Sequence, residues 1–348
     1  MPERLPYAAA EGHRGVRMGT TADKRQHQVA AWLTRQGLDP AGLTPLAADA
    51  GTRRYFRLAT PDGSRVIMDA PEQPLACQAY LRIGGLLGTA GVHVPAVTAA
   101  DPDAGVMVLE DLGDNSYLDA LAGATATADA DALMEAALEA LVRLQAATRP
   151  DVLPVYDAAR LQAELALFPA WYVRRHLGVQ PDSAWMAAWQ RSCRLLVAAA
   201  LEQPRVWVHR DFMARNLLVA TPNPGVIDFQ DALLGPVTYD LVSLLRDAFI
   251  DFPPAAEARW CARYAEYAQD AGIALPAQLA AAVDWMGAQR HLKVLGIFAR
   301  LRYRDGKPRY LADAPRFLAY LERELAPYPA LAELRELLAA LPRPESAQ

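Results

Sequence analysis

The segment from Val206 to Val219 constrains the fold of this chain more than any other. It reads Val-Trp-Val-His-Arg-Asp-Phe-Met-Ala-Arg-Asn-Leu-Leu-Val: an apolar strand, a polar loop and a second apolar strand. A short apolar run with no alternation belongs to a strand covered on both faces, so the loop between is anchored at each end in a core. Twelve residues beyond Asn216 comes Asp228, in the run Gly-Val-Ile-Asp-Phe-Gln-Asp that ends at Asp231.

The rest of the chain falls into two unlike parts. Thr21 to Gln36 reads as a helix with a Thr cap in front and Gly37 behind. Leu43–Asp49, Arg53–Ala59 and Arg65–Ala70 read as strands separated by Ala-Gly-Thr and Thr-Pro-Asp-Gly turns. A helix from about Leu75 to Ala90 follows, then strands Ala96–Ala100 and Gly105–Glu110 joined through Asp-Pro-Asp-Ala-Gly. From Ser116 onward the pattern is mainly helical: Asp129–Ala147, Asp157–Leu177, Ser183–Glu202, Thr238–Phe249, Ala255–Ala271, Pro276–Arg302 and Pro315–Leu325. Val206–Val208 with Leu217–Ala220, and then Val226–Ile227, interrupt it as short strands. The predicted class is α+β. A disordered extension (1–20, with Met18 as an alternative start) precedes a small, five-stranded, mainly antiparallel lobe (21–110). A hinge (111–116) then leads to a large helical lobe (117–348).

Composition excludes several classes. With 35 basic and 40 acidic residues the formal charge is −5, which gives no footprint for nucleic acid. Cys77, Cys193 and Cys261 are too far apart for a metal spacing and fit reduced thiols. No run is long and apolar enough for a membrane span, and the first twenty residues lack the apolar core of a signal peptide. The expectation is a cytoplasmic protein whose partners are small molecules, with no obligate protein partner evident.

The order Asp211, Asn216, Asp228 is what phosphoryl transfer needs. A carboxylate must meet an acceptor hydroxyl, orient it and take its proton; Asp211 suits that role. An amide oxygen and a second carboxylate must hold Mg2+ against nucleotide phosphates, and Asn216 and Asp228 supply such hard oxygen ligands. His209 reads as a structural brace of the loop. Asp240, at the start of a helix, reads as its buried partner or as a loop anchor.

These motifs resemble the aminoglycoside/choline phosphotransferase superfamily, over essentially all of Thr21 to Leu341. The most specific are His209-Arg210-Asp211 with Asn216, and the run from Val226 to Leu241. The resemblance implies a protein-kinase-like bilobal fold, ATP as co-substrate and Mg2+. Met68–Pro71, Leu109–Gly113 and Gln289–Arg300 are similar in particular to one branch, the anomeric amino-sugar kinases of peptidoglycan recycling. That branch implies phosphorylation of the C1 hydroxyl of N-acetylmuramic acid and N-acetylglucosamine. Kinases of other small alcohols, such as an aminoglycoside, choline or homoserine, and a nucleotide-binding pseudokinase are the alternatives.

One departure from the superfamily pattern stands out. Only Lys24, Lys293 and Lys307 are present, and Met68 occupies the place on the third strand where a phosphate-binding lysine is sought. Either the chain is a passive binder, or Arg53 or Arg54 supplies the charge, with Gly51, Thr52 and neighbouring backbone N–H groups over the phosphates. Backbone groups of Glu110 and Leu112 at the hinge are expected to meet the adenine. For the acceptor, Asp231 reads as a holder of a sugar hydroxyl, a ligand of a second Mg2+ or a loop cap. Gln289, Lys293, Gly296 and Arg300 share one helix face, which is either a pocket wall, with Gly296 leaving room for the sugar, or a solvated stripe.

Overall fold

The computed structural model describes residues 21–46, 53–71, 73–124 and 127–342. It opens with α1 (Thr21–Arg35), β1 (Leu43–Pro45), β2 (Arg54–Thr60), β3 (Gly63–Asp69), α2 (Pro74–Thr89), β4 (Val97–Asp101) and β5 (Val106–Glu110). The strands form one antiparallel sheet in the order β1-β2-β3-β5-β4.

Alternation along β5 divides the hydrophobic residues between two cores. Val106 and Val108 join Val29, Trp32 and Leu33 of α1, together with Leu58 and Ile67. Met107 and Leu109 point the other way, into the large core shared with α2 and the helical lobe. Both sets are buried because α1 covers one face of the sheet and α2 the other. The same period on β3 places Ile67 with α1 and Met68 with α2.

The helical lobe contains α3 (Tyr117–Gly123), α4 (Thr127–Ala146), α5 (Ala158–Leu165), a π-helical segment (Phe168–His176) and α6 (Ser183–Glu202). Then come β6 (Arg205–Val208), β7 (Leu217–Leu218), β8 (Gly225–Val226), β9 (Leu233–Pro236) and α7 (Tyr239–Leu245). The chain closes with α8 (Pro254–Asp270), α9 (Leu279–Tyr303), α10 (Ala314–Leu325) and α11 (Ala332–Ala339). Among the described residues no helix is long and apolar enough to cross a membrane.

Several local expectations change. The strand expected over Leu43–Asp49 is described only as far as Pro45, and 47–52 lie outside the described residues. The helix expected over 157–177 is broken in two. Pro169 has no N–H to give the preceding turn, and the chain widens there to π geometry. β6 pairs with β9, Val208 opposite Leu233, rather than with the segment after Asn216. That segment instead forms a hairpin of its own with β8. α7 stops at Leu245, where Arg246 leaves the helical region. Helices α3 and α11 have no counterpart in the sequence reading.

Helix α9 is the axis of the lobe. Every residue from Met286 to Gly296 is buried, as expected of a helix surrounded on all sides. Gly296 lets it approach the π-helical segment. A Cβ there would lie 2.5 Å from the carbonyl carbon of Leu167, so this glycine makes room for backbone and not for a sugar ring. Gly296→Ala is expected to destabilise the protein by about 2 kcal/mol or more, because backbone cannot swing aside as a side chain can. A lowered urea midpoint at an unchanged slope is the check.

Candidate active site

The loop between β6 and β7 is held from beneath by carboxylates. Asp240, fully buried on the first turn of α7, accepts the backbone N–H groups of His209 at 2.5 Å and of Arg210 at 2.9 Å. Asp247, also fully buried and just beyond the end of α7, accepts the N–H of Ala214 at 2.7 Å and of Phe249 at 2.7 Å. Two carboxylates seven residues apart thus hold both ends of the loop. Asp240 meets the His209 backbone and not its ring. The ring accepts the Asp211 N–H at Nδ1 (3.3 Å), so Nε2 carries the proton and donates to the Ile227 carbonyl at 3.0 Å. His209 thereby ties the loop to the strand that carries Asp228.

Arg210 and Asp228 have φ of 78° and 64°, the left-handed region that side chains disfavour. Arg210 is kept there by the Asp240 contact at its N–H and by an ion pair of its guanidinium with Glu164 at 2.6 Å. Glu164 serves two cations, since Lys293 Nζ lies 3.2 Å from it. Tyr156 donates its hydroxyl to the same carboxylate, and Lys293 donates to the Tyr239 hydroxyl at 2.8 Å. Burial pushes the Glu164 pKa up, but Lys293 and Arg210 more than offset this and hold it below the usual range. Burial likewise pushes Lys293 down, and Tyr239 and Glu164 outweigh it, leaving its pKa raised. Glu164, Lys293 and Arg210 are therefore charged at neutral pH.

Asn216 donates Nδ2 to the Asp211 carbonyl at 2.9 Å, which turns its Oδ1 away from that contact. Asp228 accepts from Gln230 at 2.9 Å and lies 3.7 Å from the guanidinium of Arg53. Asp211, Asn216 and Asp228 line one cleft of about 790 Å³ between the sheet and the helical lobe. Arg53, Tyr55, Glu110, Leu112, Asp231, Lys293 and Arg300 line it too.

Two sequence expectations fail on placement. Arg54 faces α1 and not the cleft. It bonds Asp69, which also takes two bonds from Arg25, at 2.9 and 2.6 Å. Residues 53, 54 and 55 alternate across the sheet, so Arg53 and Tyr55 share the cleft side and Arg54 cannot. Gln289 is fully buried and lies outside the cleft, and its amide has no hydrogen-bond partner among the described residues. Lys293 reaches the cleft but is paired to Glu164, so the stripe of which it is part is neither a solvated face nor a row of free cations. Gly51 and Thr52 lie outside the described residues.

The hinge has its own supports. Asp111 accepts from Arg57 at 2.6 and 3.1 Å, from Ser64 at 2.7 Å and from the Gly113 N–H at 3.0 Å. Burial raises its pKa, and the bonds from Arg57 and Ser64 more than offset that, holding it below the usual carboxylate range. The Glu110 N–H is spent on the Ala96 carbonyl, at 2.8 Å. Leu112 approaches Gly225 of the β7–β8 hairpin so closely that a Cβ there would sit 2.7 Å from its Cδ1. The segment after β5 and the β7–β8 hairpin are thus packed on each other.

The sequence profile of the phosphotransferase enzyme family matches residues 42–281. The chain belongs to that family. A protein of Pseudomonas aeruginosa named N-acetylmuramate/N-acetylglucosamine kinase is 52% identical over 335 residues, 92% of this chain and 98% of that one. One of Neisseria meningitidis with the same name is 45% identical over 325 residues, 91% of this chain and 96% of that one. Among solved structures, an ADP-bound aminoglycoside phosphotransferase superposes with a TM-score of 0.60 at 14% identity, covering 87% of this chain and 99% of that one. A choline/ethanolamine kinase family protein from Mesorhizobium loti gives 0.58 at 17% identity, covering 92% and 99%. The fold is kinase-like and bilobal, as the sequence motifs implied.

For a phosphotransferase, the residues that sequence reasoning passed over are instructive. Glu164 lies in a helix with no motif around it, and only its contact with Arg210 gives it meaning. Tyr80 of α2 packs on Phe229, the residue after Asp228, with ring centroids 4.6 Å apart, so α2 positions the Asp228 strand through an aromatic contact. Asp247 had a readable signal: a second acid in an otherwise apolar stretch, seven residues after Asp240.

Burial pushes the Asp240 carboxyl up to about 6 from the ordinary 3.8. A folded-state value above the unfolded one means that the native protein binds the proton more tightly. The contribution of this group to stability therefore falls as pH rises between those two values. The parent should lose about 3 kcal/mol relative to Asp240→Asn as pH rises through that window, at about 1.4 kcal/mol per unit. Paired denaturant titrations across the window test this, and a gap that does not change with pH would exclude the perturbed carboxyl.

Proposed function

We propose that this phosphotransferase is a magnesium-dependent kinase that moves the γ-phosphoryl group of ATP to the C1 hydroxyl of N-acetylmuramate and N-acetylglucosamine. The observation that carries the reading is the convergence of Asp211, Asn216 and Asp228 on one cleft, in a chain that shares nearly its full length with relatives bearing that kinase name. Asp211 accepts the hydrogen bond of the sugar hydroxyl and takes its proton as the new O–P bond forms and the bond to the ADP oxygen breaks. A hemiacetal hydroxyl is more acidic than an ordinary alcohol, so a positioned carboxylate suffices as base.

Magnesium, when bound, supplies neutralisation of phosphate charge. The donor set fits it: Asn216 Oδ1 faces away from its own amide contact, and Asp228 adds a carboxylate. Two protein oxygens are enough for such an ion, which completes its shell with phosphate and water. Arg53 takes the phosphate-binding task of the lysine that Met68 replaces, from just before β2 and beside Asp228. Residues 111–116 act as hinge, with the Glu110 carbonyl and the Leu112 N–H meeting the adenine edge. Asp231 is assigned to the sugar hydroxyls.

Incubation with ATP, magnesium and a panel of sugars and amino alcohols, followed by phosphorus NMR, tests the reading. A product phosphorus coupled to H1 is expected, and phosphate at any other position, or no turnover, would overturn it. Asp211→Asn should lower kcat by about a thousandfold while ATP binding, measured by calorimetry, is largely retained. Arg53→Met should raise KM for ATP and lower kcat. Arg54→Met should leave both near the parent values and lower the melting temperature, because Asp69 loses one of its two cations.

A further inference from the structure

The wall of the cleft formed by α9 carries one half-buried cation, Arg300, with neither a hydrogen bond nor an ion pair to any described residue. Lys293, Ile297 and Arg300 recur along one face of the helix and all line the cleft. At 1.5 Å of rise per residue, Arg300 stands about 10 Å further along the axis than Lys293. The neighbouring charges are paired: Arg53 with Asp228, Arg210 and Lys293 with Glu164, Arg304 with Asp305. Arg300 makes no hydrogen bond or ion pair with any described residue, and its Nε is buried without a partner. Asp305, the nearby acid, is occupied by two bonds from Arg304, at 2.7 and 3.1 Å. Burial above all, and the Arg304 charge after it, push the Arg300 pKa down, with Asp305 opposing in part. A half-buried guanidinium in that position is completed by an anion.

We propose that Arg300 receives the lactyl carboxylate of N-acetylmuramate and so sets the preference between the two amino sugars. The inference rests on the substrate reading above. The two sugars share the C1 hydroxyl and the acetamido group, and they differ in a lactyl ether on C3 that ends in a carboxylate. With C1 at Asp211, the C3 substituent lies across the ring and its carboxylate lies further out along the ether arm. Lys293, whose charge reaches Asp211, marks the reacting end of the α9 wall. Arg300, two turns on, meets the far end. Its planar fork matches a carboxylate with two parallel N–H donors, which the point charge of a lysine does not. N-acetylglucosamine leaves that fork to water.

Steady-state kinetics of the full chain with both sugars test this. In Arg300→Gln the ratio of kcat/KM for N-acetylmuramate to that for N-acetylglucosamine should fall about 30-fold, and Arg300→Lys should recover part of the loss. The methyl ester of N-acetylmuramate removes the charge without altering the protein. The parent should use it less well than the acid by a similar factor, and Arg300→Gln should not distinguish the two. An unchanged ratio in Arg300→Gln, or an ester used by the parent as well as the acid, would overturn the assignment and leave the kinase reading standing. A parent that phosphorylates neither sugar would overturn both.

Discussion

Two N–H groups on one buried carboxylate hold the working part of this protein in place. Asp240 accepts from His209 and Arg210 at the point where the chain turns out of β6, and there Arg210 adopts a left-handed backbone. An ionised acid with no access to water is costly, and backbone donors are the partners it finds. Without Asp240 the turn would leave two buried donors unmatched and nothing to favour the strained conformation. Asp211, Asn216 and the link from His209 to Ile227 all inherit their positions from that turn.

A second set of charges ties this loop to the acceptor side. Glu164 faces both Arg210 and Lys293, so one carboxylate joins the β6–β7 loop to α9. Neither cation is free to wander, since each would leave the acid buried beside a single partner. The consequence reaches the substrate. With Lys293 paired to Glu164 and Arg304 to Asp305, Arg300 is left with neither a hydrogen bond nor an ion pair on that wall. The proposed carboxylate site thus follows from how the nearby acids are distributed.

On the side proposed to meet the nucleotide, Met68 stands where a lysine was sought and a cation stands nearby. Met68 packs into the core against α2, where an amine would be desolvated. The positive charge sits instead on Arg53, on the cleft side of the sheet and beside Asp228. Its neighbour Arg54 serves the opposite face and, with Arg25, closes on the buried Asp69. A shift of one residue separates a candidate phosphate ligand from a structural brace, because strand side chains alternate.

The sequence by itself determined the α+β division, the five strands with one inserted helix, and the order of acid, amide and acid along the loop. These are local or closely spaced features, and periodicity and turn chemistry record them directly. It left open whether Arg53 or Arg54 faces the cleft, because a turn of unknown length sets the strand phase. It read Gln289 and Gly296 as acceptor-side residues because helical spacing gives a shared face but not what covers that face. It gave no sign of Glu164, whose partners lie 46 and 129 residues away in the chain. Only the tertiary structure decided these points, because burial and charge pairing between distant segments exist only once the chain has folded.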